Sequence, residues 1–406
     1  MKKIKNVITE CAKKGLCSGC GICAGVAEKC DLKIEFNKYG EFFPTVSKCD
    51  NCGLCLFVCP SLHVQVRKES NILSLLGKDI ECFAGYSKVD NERAKGSSGG
   101  LTTRVLKMLL EKKIITGAIA IGKCNNEDRM FDPIIAKTNQ EIDSCAGSKY
   151  YPVEFSSVLK RLKQEDGEYA IVGLPCVING LRLVQQKYPV VGIKIKYLFG
   201  LVCGHNKNKN YTSFLIKTTG VNEKDAETVF FRCKTNTKKA MNYGFKVILK
   251  NGKEGRQLNF QDSLVKNAWC GRYFSLNACF HCRDLFAEQA DVSFMDAWLK
   301  SYMDKPLGTS IIVVRNEELK KMIQEENNKG NVEIDTIIKN DVIMSQKGAL
   351  DFKQSEISKK CELLFNQRLS NLYYHDKAYL KSLRFFFLKS YISLHWFIMK
   401  IKAILN

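Results

Sequence analysis

The run "KCDNCGLCLFVCP" at residues 48–60 constrains this chain more than any other feature. It places Cys49, Cys52, Cys55 and Cys59 in the pattern C-x2-C-x2-C-x3-C-P, the spacing of a ferredoxin half-motif for a [4Fe–4S] cluster. A second half precedes it: "CSGCGICAGVAEKC" supplies Cys17, Cys20 and Cys23, with Ala27 in the fourth ligand's place and Cys30 three residues later. In a two-cluster arrangement each half gives three cysteines to one cluster and its fourth to the other. That assigns Cys17, Cys20, Cys23 and Cys59 to one cluster. Cys49, Cys52 and Cys55 belong to the other, completed by Cys30 if the loop bulges to deliver it, and otherwise by a non-cysteine ligand or as a three-iron cluster. Structural zinc favours paired C-x2-C hairpins across a finger loop, which two triplets with a C-P ending fit poorly.

Residues 1–65 are thus read as an α+β ferredoxin-like two-cluster module, too small to rely on its apolar core alone and stabilised by its metal. The rest of the chain is long enough for further domains, and at 45% hydrophobic and 26% charged it can bury a substantial core. Nineteen cysteines in a chain whose start lacks an apolar h-region point to metal ligation in a reducing cytoplasm rather than to disulfides. The net charge of +21 admits nucleic acid, an anionic membrane surface or an acidic protein partner. Lysine is scattered rather than gathered, which also suits a simple solvated surface.

Beyond a connector at 66–80, the pattern becomes an alternation of strand-like and helix-like runs. "CFAGYSKV" reads as a strand, and "SGGLTTRVLKMLLEKK" as an amphipathic helix with Leu101, Val105, Leu106, Met108 and Leu109 on one face. "ITGAIAIGK" and "YAIVGLP" follow as strands, "VEFSSVLKRLKQ" and "VINGLRLVQQK" as helices, and "VVGIKIKYLFGLVCG" as one long strand. This predicts an α/β body with a mixed, partly parallel sheet, divided at residues 81–160 and 161–340. Residues 341–406 end in "YLKSLRFFFLKSYISLHWFIMKIKAILN", a helical basic and aromatic tail. Lys389 and Lys400 interrupt its apolar run before the ~20 residues a spanning helix needs. It suits a helix lying at the inner face of a membrane, or one docked on the body or on a second copy of the chain.

Two features of the body carry chemistry. Cys176 in "GLPC" and Cys203 in "GLVCGH" fall where strands meet loops, and the pair Cys279 and Cys282 in "ACFHC" could join them in a four-thiolate site, although each alone reads as a small core residue. In "KGSSGGLTTRVL", the small residues Ser97, Ser98, Gly99 and Gly100 precede a helix start, where backbone amides can approach a phosphate or simply form a capped turn.

In order, "SSGGLTT", "AGSKYYPVEF", "VGLPCVINGLR", "GLVCGH", "ACFHC" and "ADVSFMDAW" resemble the coenzyme F-420 hydrogenase/dehydrogenase beta-subunit family, over roughly residues 10–340. That family includes 7-hydroxymethyl chlorophyll a reductase and bacterial members from polysaccharide loci. The resemblance implies FAD and an additional [4Fe–4S] cluster in the body. By it, Cys176, Cys203, Cys279 and Cys282 hold that cluster. Ser97, Ser98, Gly99, Gly100, Leu101 and Thr102, with Ser148, Lys149 and Tyr150, line the flavin site. The chain departs from the family in reading Cys203-Gly204-His205 for Cys-His-Gly, and Met295-Asp296 for Gly-Asp.

The expected function is an iron–sulfur flavoprotein oxidoreductase that moves electrons between clusters and FAD to reduce or oxidise an organic substrate or deazaflavin coenzyme. Its partner would be an electron-carrier protein such as ferredoxin. The alternatives are a non-enzymatic relay protein within a larger assembly and, with no basic stripe or binding motif to support it, a nucleic-acid protein with structural clusters.

Overall fold

The computed structural model of the chain describes residues 5–63, 72–77, 81–124, 128–235, 237 and 239–355. Most of the expected tail, from residue 356 on, lies outside the described residues, as does most of the 66–80 connector. Among the described residues no helix is long and apolar enough to cross a membrane.

The cysteine-rich segment is built from short elements. Asn6 caps the helix Val7–Glu10, accepting from the Ile8 and Thr9 amides while the Thr9 hydroxyl accepts from the Asn6 amide. Glycines in the left-handed region, Gly21 at φ 75° and Gly53 at φ 75°, open the short helices Ile22–Val26 and Leu54–Phe57 that follow the second cysteine of each triplet. Between them, β1 (Leu32–Phe36) pairs antiparallel with β2 (Phe42–Val46). Leu32 and Ile34 point inward in a five-residue alternation too brief to stand out beside the cysteines.

The body strands are β3 (Glu81–Ser87), β4 (Gly117–Lys123), β5 (Phe131–Ala136), β6 (Tyr169–Gly173), β7 (Ile195–Leu201), β8 (Ala226–Cys233), β9 (Gly244–Leu249), β10 (Leu258–Asn259), β11 (Val292–Asp296), β12 (Ser310–Val314) and β13 (Val332–Thr336). Eight form one sheet in the order β13-β3-β12-β11-β7-β6-β4-β5. The central strands β11, β7, β6 and β4 run parallel, with antiparallel pairs on both flanks. This is the mixed α/β sheet that the alternation of runs implies. Strand β6 is buried along its whole length, as a parallel strand covered on both faces should be.

The expected long strand over 190–204 is instead a helical turn, Pro189–Gly192, followed by β7. Pro189 occupies the first helical position, where its missing N–H costs nothing. Strands β8 to β10 form a separate three-stranded antiparallel sheet, which the run of apolar residues does not announce. Its Phe231, Phe245 and Val247 pack on Tyr211, Phe214 and Phe274.

The cysteine-rich segment and the body share one core. Ile22, Val26 and Val58 pack with Leu159, Ile178 and Leu181, and each fully buried aliphatic side chain stabilises the contact by about 1.5–3 kcal/mol. The approach is close enough that a Cβ on Gly180 would lie 2.4 Å from Ile22 Cδ1.

One sheet edge collects the sequence features. Strands β6, β7 and β11 end at Gly173, Leu201 and Asp296, and the chain then enters Cys176, Cys203 and Trp298. Asp296 pairs with Ser310, and Ser310 with Gly85, so the end of β3 and its glycine-rich turn lie on the same edge. Open α/β sheets bind ligands at the carboxyl ends of their parallel strands.

Candidate functional site

The first triplet and Cys59 meet at a small cavity lined by Cys17, Cys20, Cys23 and Cys59, and also by Cys11. The Phe155 amide donates to the Cys20 carbonyl at 2.9 Å, tying this loop to the body. Burial pushes the Cys23 thiol well up and the Cys20 thiol up to about 12, so as bare thiols both stay protonated. The second group lies nearer solvent. The thiols of Cys30 and Cys52 and the carboxylate of Asp50 lie within 4.8 Å of one another, and Cys52 is exposed. Cys30 Sγ donates to Asp50 Oδ1 at 2.8 Å, which, ahead of other causes, pushes its thiol up to about 12. Cys49 acts electrostatically on both Cys30 and Cys55. The loop after Ala27 thus carries Cys30 to the second triplet.

The four body cysteines line one cavity of about 1010 Å³. Cys176 enters it from the first turn of the helix Pro175–Lys187, Cys203 from the end of β7, and Cys279 and Cys282 from the short helix Asn277–His281 and its cap. Ser18 and Ser61 of the cysteine-rich segment line the same cavity, and Cys176 feels Cys20 electrostatically. Burial drives the Cys176 and Cys203 thiols well up and the Cys279 thiol to about 11. Lys353, buried, donates to Cys282 Sγ at 3.1 Å and to the Asp284 carbonyl at 2.8 Å. Burial opposes its charge, but the thiols of Cys282, Cys203 and Cys279 outweigh that and raise its pKa. Soft sulfur donors with a fixed cation beside them suit an anionic thiolate-bound iron centre.

The glycine turn packs against the start of β12. Ser98 Oγ donates to the Thr309 carbonyl at 2.6 Å, and the Gly99 amide to Ser310 Oγ at 2.9 Å. A Cβ on Gly99 would lie 2.4 Å from the Gly85 carbonyl oxygen, so the chain's own backbone demands this glycine. Ser97 Oγ accepts from the Ser148 amide at 2.6 Å, joining the two expected flavin segments. The remaining residues of that set divide. Leu101 is buried in the main core, and Lys149 Nζ is turned onto the carbonyls of Cys145, Ala146 and Gly147 at 2.5–3.0 Å. Tyr150 faces Trp269, ring centroids 4.3 Å apart, and Trp269 in turn faces His205 at 4.7 Å. His205 also lines the cysteine cavity; burial, with the nearby cations Lys207, Arg272 and Lys353, keeps its ring neutral.

Residues that motif spacing does not reveal complete this region. Arg232 makes a two-pronged pair with Asp296 at 2.7 and 2.9 Å and sits over the Tyr243 ring at 4.4 Å. Lys234 Nζ donates to the Ser98 carbonyl at 3.3 Å and the Leu307 carbonyl at 2.9 Å, and burial lowers its pKa to about 7. Arg232 Nε, Thr309 Oγ1 and His205 Nε2 are buried without a hydrogen-bond partner among the described residues. Unpaired buried polar atoms are costly unless a ligand or water answers them. Aromatic faces, two cations and orphaned polar atoms fit a planar ring system with an anionic tail.

Residues 82–160 match the N-terminal part of the family described as coenzyme F420 hydrogenase/dehydrogenase, beta subunit, and residues 166–340 match its C-terminal part. The coenzyme F420-dependent sulfite reductase of Methanocaldococcus jannaschii is 27% identical over 77% of this chain, which spans 46% of that protein. One of the subunits of the F(420)H(2) dehydrogenase of Methanosarcina mazei is 24% identical over 78% of this chain and 86% of its own length. In fold, the chain is similar to one in the F420-reducing [NiFe] hydrogenase complex of Methanosarcina barkeri, with TM-score 0.51 and 18% identity over 74% of this chain and 94% of that one. The two matched stretches adjoin and together span the sheet whose carboxyl edge gathers the cysteines and the glycine turn, so the chain belongs to the coenzyme F420 hydrogenase/dehydrogenase beta-subunit family.

Proposed function

We propose that the chain is an iron–sulfur flavoprotein oxidoreductase. In this reading Cys17, Cys20, Cys23 and Cys59 hold one [4Fe–4S] cluster and Cys30, Cys49, Cys52 and Cys55 a second. Cys176, Cys203, Cys279 and Cys282 hold a third, and the region between the glycine turn and Trp269 takes FAD. One observation carries the proposal: the body quartet lines a cavity shared with Ser18 and Ser61 on one side and with His205, the neighbour of Trp269, on the other. When bound, the clusters would pass single electrons and the flavin would convert them to two-electron chemistry on an organic substrate or a deazaflavin. The chain's own residues set the order, orient the cofactors and supply fixed charge. Relatives named for F420 chemistry support a redox role. An electron-carrier protein such as ferredoxin would dock near the exposed Cys52.

A second reading, a relay that serves a partner protein, is favoured by the relatives named as subunits of dehydrogenase and hydrogenase. Anaerobic purification with iron, sulfide and flavin analysis tests the first. About twelve irons and one FAD per chain are expected; about eight irons and no flavin after reconstitution would leave the relay.

Lys234 gives a pH test. Its pKa near 7 in the empty site rises when an anionic tail binds beside it, so binding takes up a proton above pH 7. The dissociation constant for FAD should therefore be flat below pH 7 and rise by up to about tenfold per unit above it. Lys234→Met should flatten that slope. A wild-type slope that is already flat would remove Lys234 from the flavin site.

A further inference from the structure

Five cysteines, not four, surround the cavity of the first triplet. Cys11 belongs to neither half-motif, yet it is fully buried. The chain is built to hold it there. Cys11 ends the helix Val7–Glu10, its amide donating to the Val7 carbonyl. A single turn, Ala12–Lys14, then reaches Gly15 in the left-handed conformation at φ 72°. That reversal returns the chain so that the Leu16 amide donates to the Cys11 carbonyl at 3.2 Å, which sets Cys11 and Cys17 side by side. Cys11 lines one small cavity together with Cys17 and Cys59, residues from opposite ends of the cysteine-rich segment.

A four-iron cluster takes four protein thiolates. Resting on the cluster reading above, we infer that Cys11 is a reserve ligand: a spare thiol on the cavity of Cys17 and Cys59 that bonds no iron in the intact centre, and the replacement for either when it is lost. In a chain lacking Cys17, the Cys11 S–H bond breaks, its proton passes to solvent, and the thiolate forms the iron–sulfur bond that Cys17 no longer makes. No electron moves in that exchange. A fifth thiol already in place lets this centre keep its iron when one ligand thiol is lost.

The test compares anaerobically purified full-length variants by iron count and by electron paramagnetic resonance of the reduced protein. Cys11→Ser alone should keep the full wild-type iron count, which also shows that position 11 tolerates the change. Cys17→Ala should keep that count with an altered four-iron spectrum. The pair Cys11→Ser/Cys17→Ala should lose roughly one to four irons per chain, leaving a three-iron signal or none at this site. Loss of iron in Cys17→Ala alone overturns the inference, because no reserve then acts. Loss in Cys11→Ser alone also overturns it, by making Cys11 a primary ligand, and retention in the pair overturns it by pointing to a different substitute. Wild-type protein that carries no iron would instead sink the cluster reading itself.

Discussion

Replacing Cys176 with alanine should remove about four irons from the anaerobically purified chain and stop electrons supplied at the cysteine-rich segment from reaching any acceptor in the body. Cys176 sits on the first turn of a helix at the end of β6, facing Cys279 and Cys282 and within electrostatic reach of Cys20. Alanine leaves the helix intact, since the site is set by Pro175 and by the burial of Val177, Ile178 and Leu181 behind it. The fold should therefore survive while the quartet becomes a trio. Iron and sulfide analysis, with stopped-flow reduction of the flavin by a reduced carrier, measures both effects. An unchanged iron count would strike Cys176 from the ligand set. Lost iron with undiminished flavin reduction would break the proposed order of transfer.

The second large effect concerns stability. Glu92 is 1% exposed and lies 3.6 Å from Arg104 and 3.2 Å from Lys107, both also buried. Ser87 Oγ donates to its other carboxylate oxygen at 2.6 Å. Removing Glu92 takes one of two carboxylates from Lys107 and one of three from Arg104, a part of the about 3–5 kcal/mol that a wholly unpaired buried charge costs. Asp143, at 2.6 Å from Lys107, and Glu326, at 3.4 Å from Arg104, with Glu111 also paired to Arg104, temper the loss without replacing the lost charge. Glu92→Ala should accordingly lower the urea midpoint strongly, and Glu92→Gln, which keeps the shape and the Ser87 contact, somewhat less. The effect should extend to the proposed FAD site. The Glu92 carbonyl accepts from Gly96 at 2.9 Å and is the atom that a Cβ on Gly100 would strike, so this short helix props the glycine turn. FAD affinity should fall along with stability. A loss of unfolding free energy under about 1 kcal/mol would show that the network is already balanced without Glu92.

Much of this organisation is written locally in the chain. Cysteine spacing within each triplet is a property of a few consecutive residues, so the grouping of these cysteines can be read directly. The alternating runs that give β4, β6 and the helix Leu101–Glu111 are equally local. What the sequence conceals is long-range or overruled by punctuation. Pro189 cuts an apolar run that otherwise reads as one strand. Cys11 has no motif, and only the left-handed Gly15 turn brings it to Cys17. Arg232 and Asp296 are 64 positions apart, and Lys353 reaches Cys282 across 71. Each is an ordinary charged residue until the sheet edge assembles around it. The glycine turn shows the reverse: its motif is visible, but Gly99 answers to the backbone of β3, which no motif could reveal.

The position of Lys353 has a consequence for how the molecule can be cut. The four body cysteines are half-buried around one cavity, where a negative charge is screened less than in bulk water. Lys353 supplies a buried counterion beside Cys282, and it does so from the helix Lys347–Gln354, past residue 340 where the family match stops. A version trimmed to the recognised boundary would keep all four body cysteines and lose the buried cation beside Cys282, so any cluster held there as proposed should become harder to reduce.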